Sequence, residues 1–167
     1  MFVVAGEALM DVFTGATTPA GIALDARIGG SPLNVAFGLA RLGQPVAFLG
    51  GISSGALGER LLDALRAEGV SLDAVHRSKS PTTISLIGVD AKGVPEYAFY
   101  GQGAADRTLP MAALERMPAN ARALHVGSYT MVTDETARTQ AALIERVQGK
   151  LVVSYDPNLR LNVEPDI

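Results

Sequence analysis

The sequence predicts an α/β fold built on a parallel β-sheet flanked by helices. Short, nearly continuous apolar runs rich in β-branched residues occur at "FVVAGEAL", "PVAFLGG" and "LVVSYD", as expected of strands covered on both faces. Amphipathic segments separate these runs, and the alternation of strand and helix is typical of α/β domains. With 167 residues and a hydrophobic content of 48%, the chain is long enough for one compact domain.

The first helix is predicted over residues 31–42, directly before the second apolar run. Ser31 is expected as its N-cap, and Pro32 at the first helical position loses no hydrogen bond. Gly43 is expected to end the helix. The stretch "ALGERLLDALRAEG" predicts a second helix, whose Leu61 and neighbouring leucines face inward.

The middle of the chain departs from this alternation. Two β-rich runs in "TTISLIGVDAKGVPEYAFYG" surround the turn-like residues 90–93, a pattern that predicts an antiparallel hairpin. A short strand from residues 12–28 would join the hairpin and form a flap over the main sheet. The α/β order then resumes with the strand "ALHVGS", the helix "DETARTQAALIERVQG" and the buried strand "LVVSYD".

The composition disfavours several classes of protein. The net charge is −3 with Lys and Arg scattered along the chain, so no nucleic-acid surface is expected. The absence of cysteine and the presence of two histidines argue against a thiolate or histidine metal site. The start "MFVVAGEALMD" lacks a basic segment, and no apolar run reaches membrane-spanning length. We therefore expect a soluble, cytoplasmic protein without a membrane partner.

The stretch "GGSPLNVAFGLARLG" places an amide in the first turn of an otherwise apolar helix. In open parallel sheets, ligands bind beyond the carboxyl ends of the strands. Gly29 and Gly30 lack side chains and allow a close approach to their backbone, while Asn34 offers both a donor and an acceptor. This combination suits a hydroxyl-rich ligand; the alternative is that Asn34 satisfies backbone groups at the helix start.

This stretch resembles the first signature of the PfkB (ribokinase-like) carbohydrate kinases. The motifs "GEALMD", "YAFYGQGAADR", "HVGSYT" and "YDPNLR" follow in the order of that family. The resemblance implies a ribokinase-like parallel sheet with a small β-rich lid, formed by elements at about 12–28 and 83–101. It also implies that the protein phosphorylates a hydroxyl group of a small-molecule sugar, with ATP and Mg²⁺ as cofactors. A homodimer formed through the lid is expected as well.

Site residues are carried over by position. The resemblance implies that Asp11 accepts hydrogen bonds from sugar hydroxyls, that Gly29 and Gly30 line the sugar pocket, and that Asn34 holds another hydroxyl. Without the family, Asp11 at a strand end also fits a turn-forming role. Among the lid aromatics, Tyr100 is taken as a sugar contact.

The lid aromatics and the "DPNLR" stretch each keep two interpretations. Tyr97, Phe99 and Tyr100 either contact the sugar or pack within the lid. In "DPNLR", the resemblance implies Asn158 near the nucleotide or Mg²⁺ and Arg160 as an anion contact for phosphate or an acidic sugar, while the stretch also reads as a turn after a strand.

The sequence departs from the family pattern in three places. Ser53, Ser54 and Gly55 stand where the family has Gly-Asp-Asp, and Gly101 stands where many sugar kinases have an Arg after the lid aromatics. The Gly101 position favours fructose or another neutral ketose over acidic sugars. No Asp-Thr-x-Gly-Ala-Gly-Asp stretch is present, so we expect the catalytic base beyond residue 167 and the C-terminal half of the kinase to be missing.

Two other functions remain open on the sequence. The Gly-x-Ser-x-Gly pattern around Ser53, followed by Asp106 and His125, has the chain order of an α/β serine hydrolase triad. His125 lies in a strand-like run, which argues against it. A non-catalytic sugar- or nucleoside-binding module would have the same residues as a kinase fragment.

Overall fold

The computed structural model describes residues 1–89 and 95–158, which contain two four-stranded β-sheets and a two-stranded parallel sheet of β5 and β6. Its strands are β1 (Phe2–Ala5), β2 (Leu9–Thr18), β3 (Gly21–Gly29), β4 (Val46–Leu49), β5 (Gly51–Ser53), β6 (His76–Ser78), β7 (Ile84–Val89), β8 (Pro95–Tyr100), β9 (Ala123–Gly127) and β10 (Val152–Asp156). Its α-helices are α1 (Ser31–Arg41), α2 (Ala56–Ala67) and α3 (Asp134–Val147). Short 3₁₀ helices lie at Ala105–Arg107, Met111–Arg116 and Tyr129–Met131.

The main sheet is parallel, as the sequence predicts. Its strand order is β10-β9-β1-β4, with every neighbouring pair parallel. Val3 of β1 pairs with Ala47 on one side and Leu124 on the other, so β1 is a central strand. The carboxyl ends of β1 and β9 therefore meet at one edge of the sheet.

Helices cover both faces of this sheet and form two apolar clusters. Val4 of β1 and Phe48 of β4 pack on one face with the buried leucines of α1 and α2. Val3 and Ala5 pack on the opposite face with α3 and the 3₁₀ helix Met111–Arg116. Alternating β1 side chains thus enter both clusters, which explains why this strand reads as a continuous apolar run.

The second sheet forms the lid. Its order is β3-β2-β7-β8, with β7 and β8 antiparallel, which confirms the hairpin; its turn at residues 90–93 lies outside the described residues. The single short strand expected from 12–28 is wrong, because β2 and β3 are two long antiparallel strands of 10 and 9 residues. Met10 and Val12 of β2 enter the core next to α1, so the base of the lid is fixed.

Two local predictions near the start of the chain need correction. The run "FVVAGEAL" is not one strand, because β1 ends at Ala5 and the chain turns at Gly6, where a methyl group would overlap the Pro32 ring. Ser31 is the first residue of α1 rather than its N-cap; Gly30 takes that position, and no side chain caps the helix from there. Helix α2 follows the prediction, with Leu61 buried.

The strand "LVVSYD" was expected to be buried, and this is wrong for the described residues. β10 pairs with β9 alone and lies at the edge of the sheet, so all five of its residues are exposed.

In the described part of the chain, none of the helices combines the length and the apolar character needed to cross a bilayer.

Candidate functional site

A cleft of about 1060 Å³ opens between the lid sheet and the carboxyl ends of β1 and β9. It lies where ligands bind in open α/β sheets. The described residues that line it are Glu7, Leu9, Asp11, Gly30, Ser31, Asn34, Val35, Ser85, Ile87, Glu96, Tyr97, Phe99, Ser128, Tyr129 and Asn158.

Asp11 lies on β2 where that strand leaves the core and enters the lid. Its register partners are Arg27 on β3 and Ser85 on β7, and Ser85 also lines the cleft. The Asp11 carboxylate lies so close to Gly29 that a methyl group there would overlap it. Gly29 is not one of the described residues that line the cleft. Because it has no side chain, it leaves the space that the Asp11 side chain occupies.

Gly30 and Asn34 form the opposite wall, at the start of α1. Gly30 has a φ of 117°, and a Cβ there would lie 2.7 Å from the Glu7 carbonyl oxygen, so both conformation and space require glycine. The Asn34 backbone N–H donates to the Gly30 carbonyl at 3.0 Å. Within the described part of the chain, the Asn34 side chain makes no hydrogen bond and faces the cleft, so satisfying backbone groups is not its role.

The lid presents one face of β7 and β8 to the cleft. Ser85 pairs with Phe99, and Ile87 pairs with Tyr97, so these four side chains share a face. Tyr100 pairs with Ile84 on the other face, is 62% exposed and does not line the cleft in the described structure. The structure therefore brings Tyr97 and Phe99, rather than Tyr100, to the position of a lid contact.

Glu7 is a cleft residue that sequence reasoning missed. Only 1% of it is exposed, and its two carboxylate oxygens accept hydrogen bonds from the Ser31 backbone N–H at 3.1 Å and the Thr130 hydroxyl at 3.2 Å. Burial raises the pKa of Glu7 from 4.5 to about 7; the Asp106 carboxylate adds to this, and hydrogen bonding from Ser128 opposes it. A charged residue directly after the apolar run of β1 was the available signal.

A second buried carboxyl group, Asp106, connects the lid to the core. Thr83, next to β7, donates to Asp106 at 2.6 Å, and the Tyr129 hydroxyl donates to its other oxygen. Burial raises the pKa of Asp106, against the effect of both hydrogen bonds, and burial also raises the pKa of Tyr129. The Tyr129 ring meets Phe99 edge-on, with centroids 5.0 Å apart, so it forms the floor on which the lid face rests.

The remaining wall follows β9. Ser128 has a φ of 63°, unusual for a residue with a side chain, and its N–H donates to the Asp156 carbonyl at 2.9 Å. The Asn158 side-chain amide lies 3.5 Å from the Ser128 hydroxyl, and Asn158 lines the same cleft as Asp11 and Asn34. Arg160 lies outside the described residues.

The residues of the serine hydrolase hypothesis have other partners. The Ser53 hydroxyl accepts a hydrogen bond from the Gly55 N–H at 3.1 Å, and Asp106 is held by Thr83 and Tyr129. His125 lies within β9 with its Nδ1 3.1 Å from the Ser154 hydroxyl. The hydrogen bonds of these three residues do not build a triad.

The chain is similar in sequence and in fold to known carbohydrate kinases. The profile of the pfkB family carbohydrate kinases matches residues 2–166. A fructokinase of Rhizobium leguminosarum bv. trifolii is 34% identical over 160 residues, covering 96% of this chain and 49% of that protein. The crystal structure of a fructokinase from Xylella fastidiosa is 29% identical with a TM-score of 0.91, covering 99% of this chain and 54% of that one.

A further crystal structure of the Xylella fastidiosa fructokinase, with bound ATP, is 28% identical and has a TM-score of 0.88. The chain thus spans about half the length of the relatives that it matches. Over that half, the fold of the described residues is the fold of these kinases.

Proposed function

The chain belongs to the pfkB family of carbohydrate kinases, and from that premise we propose that it binds the sugar in an ATP-dependent, fructokinase-type phosphorylation. The observation that carries the proposal is the cleft at the carboxyl end of the parallel sheet, which both Asp11 and Asn34 line. Asp11 accepts hydrogen bonds from sugar hydroxyls, and the Asn34 amide both donates and accepts. Gly29 and Gly30 leave the space for these contacts.

The preferred substrate is fructose or a similar neutral ketose. Three carboxyl groups, those of Glu7, Asp11 and Glu96, line the cleft, and among its described lining residues there is no Lys or Arg. An acidic sugar would meet like charges there, which is unfavourable at short range. The curated relatives named fructokinase support the same choice.

The nucleotide belongs at the edge of this cleft. The acidic wall does not suit a triphosphate, whereas the Asn158 amide, next to Ser128, suits a phosphate oxygen or a water bound to Mg²⁺. ATP, when bound, supplies the phosphoryl group. Within the described residues no three His, Cys, Asp or Glu side chains group around a common point. Arg160, outside those residues, is the proposed anion contact.

Residues 1–167 are proposed to form the N-terminal part of the kinase domain, with lid elements at about 12–28 and 83–101. The catalytic base is then supplied from beyond residue 167, consistent with a chain that spans about half of its relatives. Tyr97 and Phe99 contact the sugar from the lid, while Tyr100 faces away from it. The protein is proposed to work in the cytoplasm.

A homodimer through the lid completes the proposal. The lid carries exposed apolar side chains, among them Phe13, Ile22 and Leu24 on β2 and β3. Exposed apolar groups gathered on one element favour association with a second copy of the chain.

Calorimetry tests the sugar assignment. The protein is titrated with fructose and, separately, with 2-keto-3-deoxygluconate at the same ionic strength. We expect fructose to bind more tightly, because the acidic sugar carries a carboxylate into an acidic cleft. Tighter binding of 2-keto-3-deoxygluconate would overturn the substrate assignment, and no binding of any sugar or nucleoside would overturn the function.

A coupled assay for ADP separates a kinase fragment from a complete enzyme. The purified 167-residue chain, free of host kinases, is expected to form no sugar-dependent ADP, because positioned electrostatic groups supply most of the catalysis of phosphoryl transfer. Robust turnover would place the catalytic base within residues 1–167. Binding of fructose without turnover, even in a longer chain, would favour a non-catalytic binding module.

A further inference from the structure

The carboxyl group of Glu7 joins two walls of the cleft that come from distant parts of the chain. Glu7 lies in the turn between β1 and β2, is almost completely buried and lines the cleft. A carboxylate in such a place is unfavourable unless donors surround it. Its donors come from the start of α1 and from the loop that follows β9.

At α1, Glu7 replaces a missing helix cap. The N-cap position is Gly30, which has no side chain to accept a hydrogen bond, and Pro32 has no N–H. The Ser31 N–H would lack a partner in the helix, and it donates to Glu7 Oε1 at 3.1 Å. A negative charge at this end of the helix is also favourable. The same turn contains Asn34, whose N–H bonds to Gly30.

On the other wall, Glu7 reaches a chain of hydroxyl and amide groups. Thr130 donates to Glu7 Oε2 and itself accepts a hydrogen bond from the Gln140 amide of α3 at 3.1 Å. Ser128, in the same loop as Thr130, has its hydroxyl 3.5 Å from the Asn158 side-chain amide. The carboxyl group therefore connects the turn that holds Asn34 with the loop after β9, whose Ser128 lies next to the Asn158 side chain.

We infer that Glu7 is a positioning residue that holds the first turn of α1, with Gly30 and Asn34, against the loop after β9. This contact fixes the position of the Asn34 side chain in the cleft. The role in sugar affinity rests on the proposed function, whereas the effect on the start of α1 does not. Glu7 touches neither a reacting atom nor a hydroxyl of the sugar in this scheme.

The network accommodates both protonation states of Glu7. When Glu7 is charged, Thr130 donates to it; when Glu7 is neutral, its proton points to the Thr130 oxygen, and the Thr130 hydrogen turns to the Gly127 carbonyl at 3.4 Å. Among the described residues, the titratable groups near Glu7 are the buried Asp106 and Tyr129, with Asp11 and Glu96 on the same cleft. The pKa of about 7 makes both states accessible near neutral pH.

Nuclear magnetic resonance of the full chain tests the cap without any ligand. The backbone amide of Ser31 is followed from pH 5 to 9 in the wild type, in Glu7→Gln and in Glu145→Gln, a matched change on the exposed side of α3. We expect the Ser31 signal to titrate near pH 7 in the wild type and in Glu145→Gln, and to stay constant in Glu7→Gln. A Ser31 titration that persists in Glu7→Gln would overturn the proposal.

Calorimetry with fructose tests the consequence for binding. Glu7→Ala removes the acceptor of Ser31 and should weaken fructose binding about 3- to 10-fold. Glu7→Gln keeps an acceptor for Ser31 and a donor for Thr130, and should bind within about twofold of the wild type. Equal affinity for wild type and Glu7→Ala would also overturn the proposal. If Glu7→Ala does not fold, the Glu7→Gln titration at Ser31 still decides.

The Ser31 titration and the fructose calorimetry together distinguish a failure of this inference from a failure of the proposed function. A wild type that binds no sugar, yet shows the Ser31 titration and its loss in Glu7→Gln, would contradict the function and support the role of Glu7 at α1. A wild type that binds fructose with a Ser31 signal independent of Glu7 would support the function and contradict the role of Glu7.

Discussion

Asn34 and Asp11 show how single side chains depend on glycines beside them. Asn34 is exposed to the cleft from the first turn of α1, and Asp11 fills the space that Gly29 leaves. A Cβ at Gly29 would overlap the Asp11 carboxylate, and a Cβ at Gly30 would overlap the Glu7 backbone next to the turn that holds Asn34. The glycine pair thus determines the geometry of the polar wall, and the two polar side chains determine its chemistry.

Asn34→Ala is expected to weaken fructose binding, because one hydrogen bond to a bound hydroxyl is lost at a cost of about 0.5–1.5 kcal/mol. Asp11→Asn should have an effect in the same direction, since the amide offers one acceptor oxygen in place of two. Asn120→Ala, on the exposed surface, is the matched control. Calorimetry measures all three; wild-type affinity in both cleft variants would contradict the site assignment.

Glu7 should make the stability of the protein depend on pH. Its pKa is 4.5 in the unfolded chain and about 7 in the folded one, so between these values the folded state binds more protons. The free energy of unfolding should therefore fall as the pH rises from about 4.5 to 7, by up to about 3 kcal/mol.

Urea unfolding from pH 4 to 8 measures this dependence. Glu7→Gln should flatten the profile, and Glu145→Gln should follow the wild type. Burial also raises the pKa of Asp106, so a smaller slope of the same sign is expected to remain in Glu7→Gln. An unchanged slope in Glu7→Gln would show that Glu7 does not stay protonated in the folded state.

At the scale of elements, helices α1 and α2 each carry one glycine, and the structure gives the two different roles. A Cβ at Gly38 of α1 would meet no heavy atom within 4 Å. A Cβ at Gly58 of α2 would overlap the backbone carbonyl of Ser53, so α2 packs directly on the end of β5. The first glycine can be replaced, and the second allows a close approach of helix and strand.

Gly38→Ala should therefore stabilise the protein by about 0.5–1 kcal/mol, because alanine loses less conformational entropy in a helix than glycine. Gly58→Ala should destabilise it by about 1–3 kcal/mol, because the helix must move away from the strand. Denaturant unfolding of the two variants compares them directly. Destabilisation by Gly38→Ala, or none by Gly58→Ala, would contradict the packing described.

At the scale of the whole molecule, the lid and the edge of the main sheet both expose apolar side chains among the described residues. Leu24 on β3 is 57% exposed, and the edge strand β10 exposes Val152 and Tyr155. Large exposed apolar patches are rare on monomeric proteins and often mark an interface. The proposed lid dimer would cover the first region.

Leu24→Lys should weaken that dimer, because a charge in the apolar contact must be desolvated. Leu42→Lys, at a position 76% exposed at the end of α1, is the matched control. Sedimentation equilibrium should give a dissociation constant at least about tenfold higher for Leu24→Lys than for Leu42→Lys. Identical constants, or a monomeric wild type, would contradict a dimer through the lid.

The parallel sheet flanked by helices, the hairpin of the lid and the family follow from the sequence alone, whereas the pair of long strands β2 and β3 does not. Apolar runs bounded by glycines are local signals, and several motifs in a defined order are specific to a family. The polar wall at Asn34 and Gly30 was also within reach, because both residues lie in one short stretch.

Only the tertiary structure decided which side chains meet in the cleft. The lid strand β8 carries aromatic side chains on both faces, so its pairing with β7, and not its pattern, turns Tyr97 and Phe99 toward the cleft and Tyr100 away. Glu7 and Thr130 are 123 positions apart, and Asp106 and Thr83 are 23 apart. Contacts over such separations arise when parallel strands bring their ends together, and no local pattern records which partners a buried carboxyl group finds there.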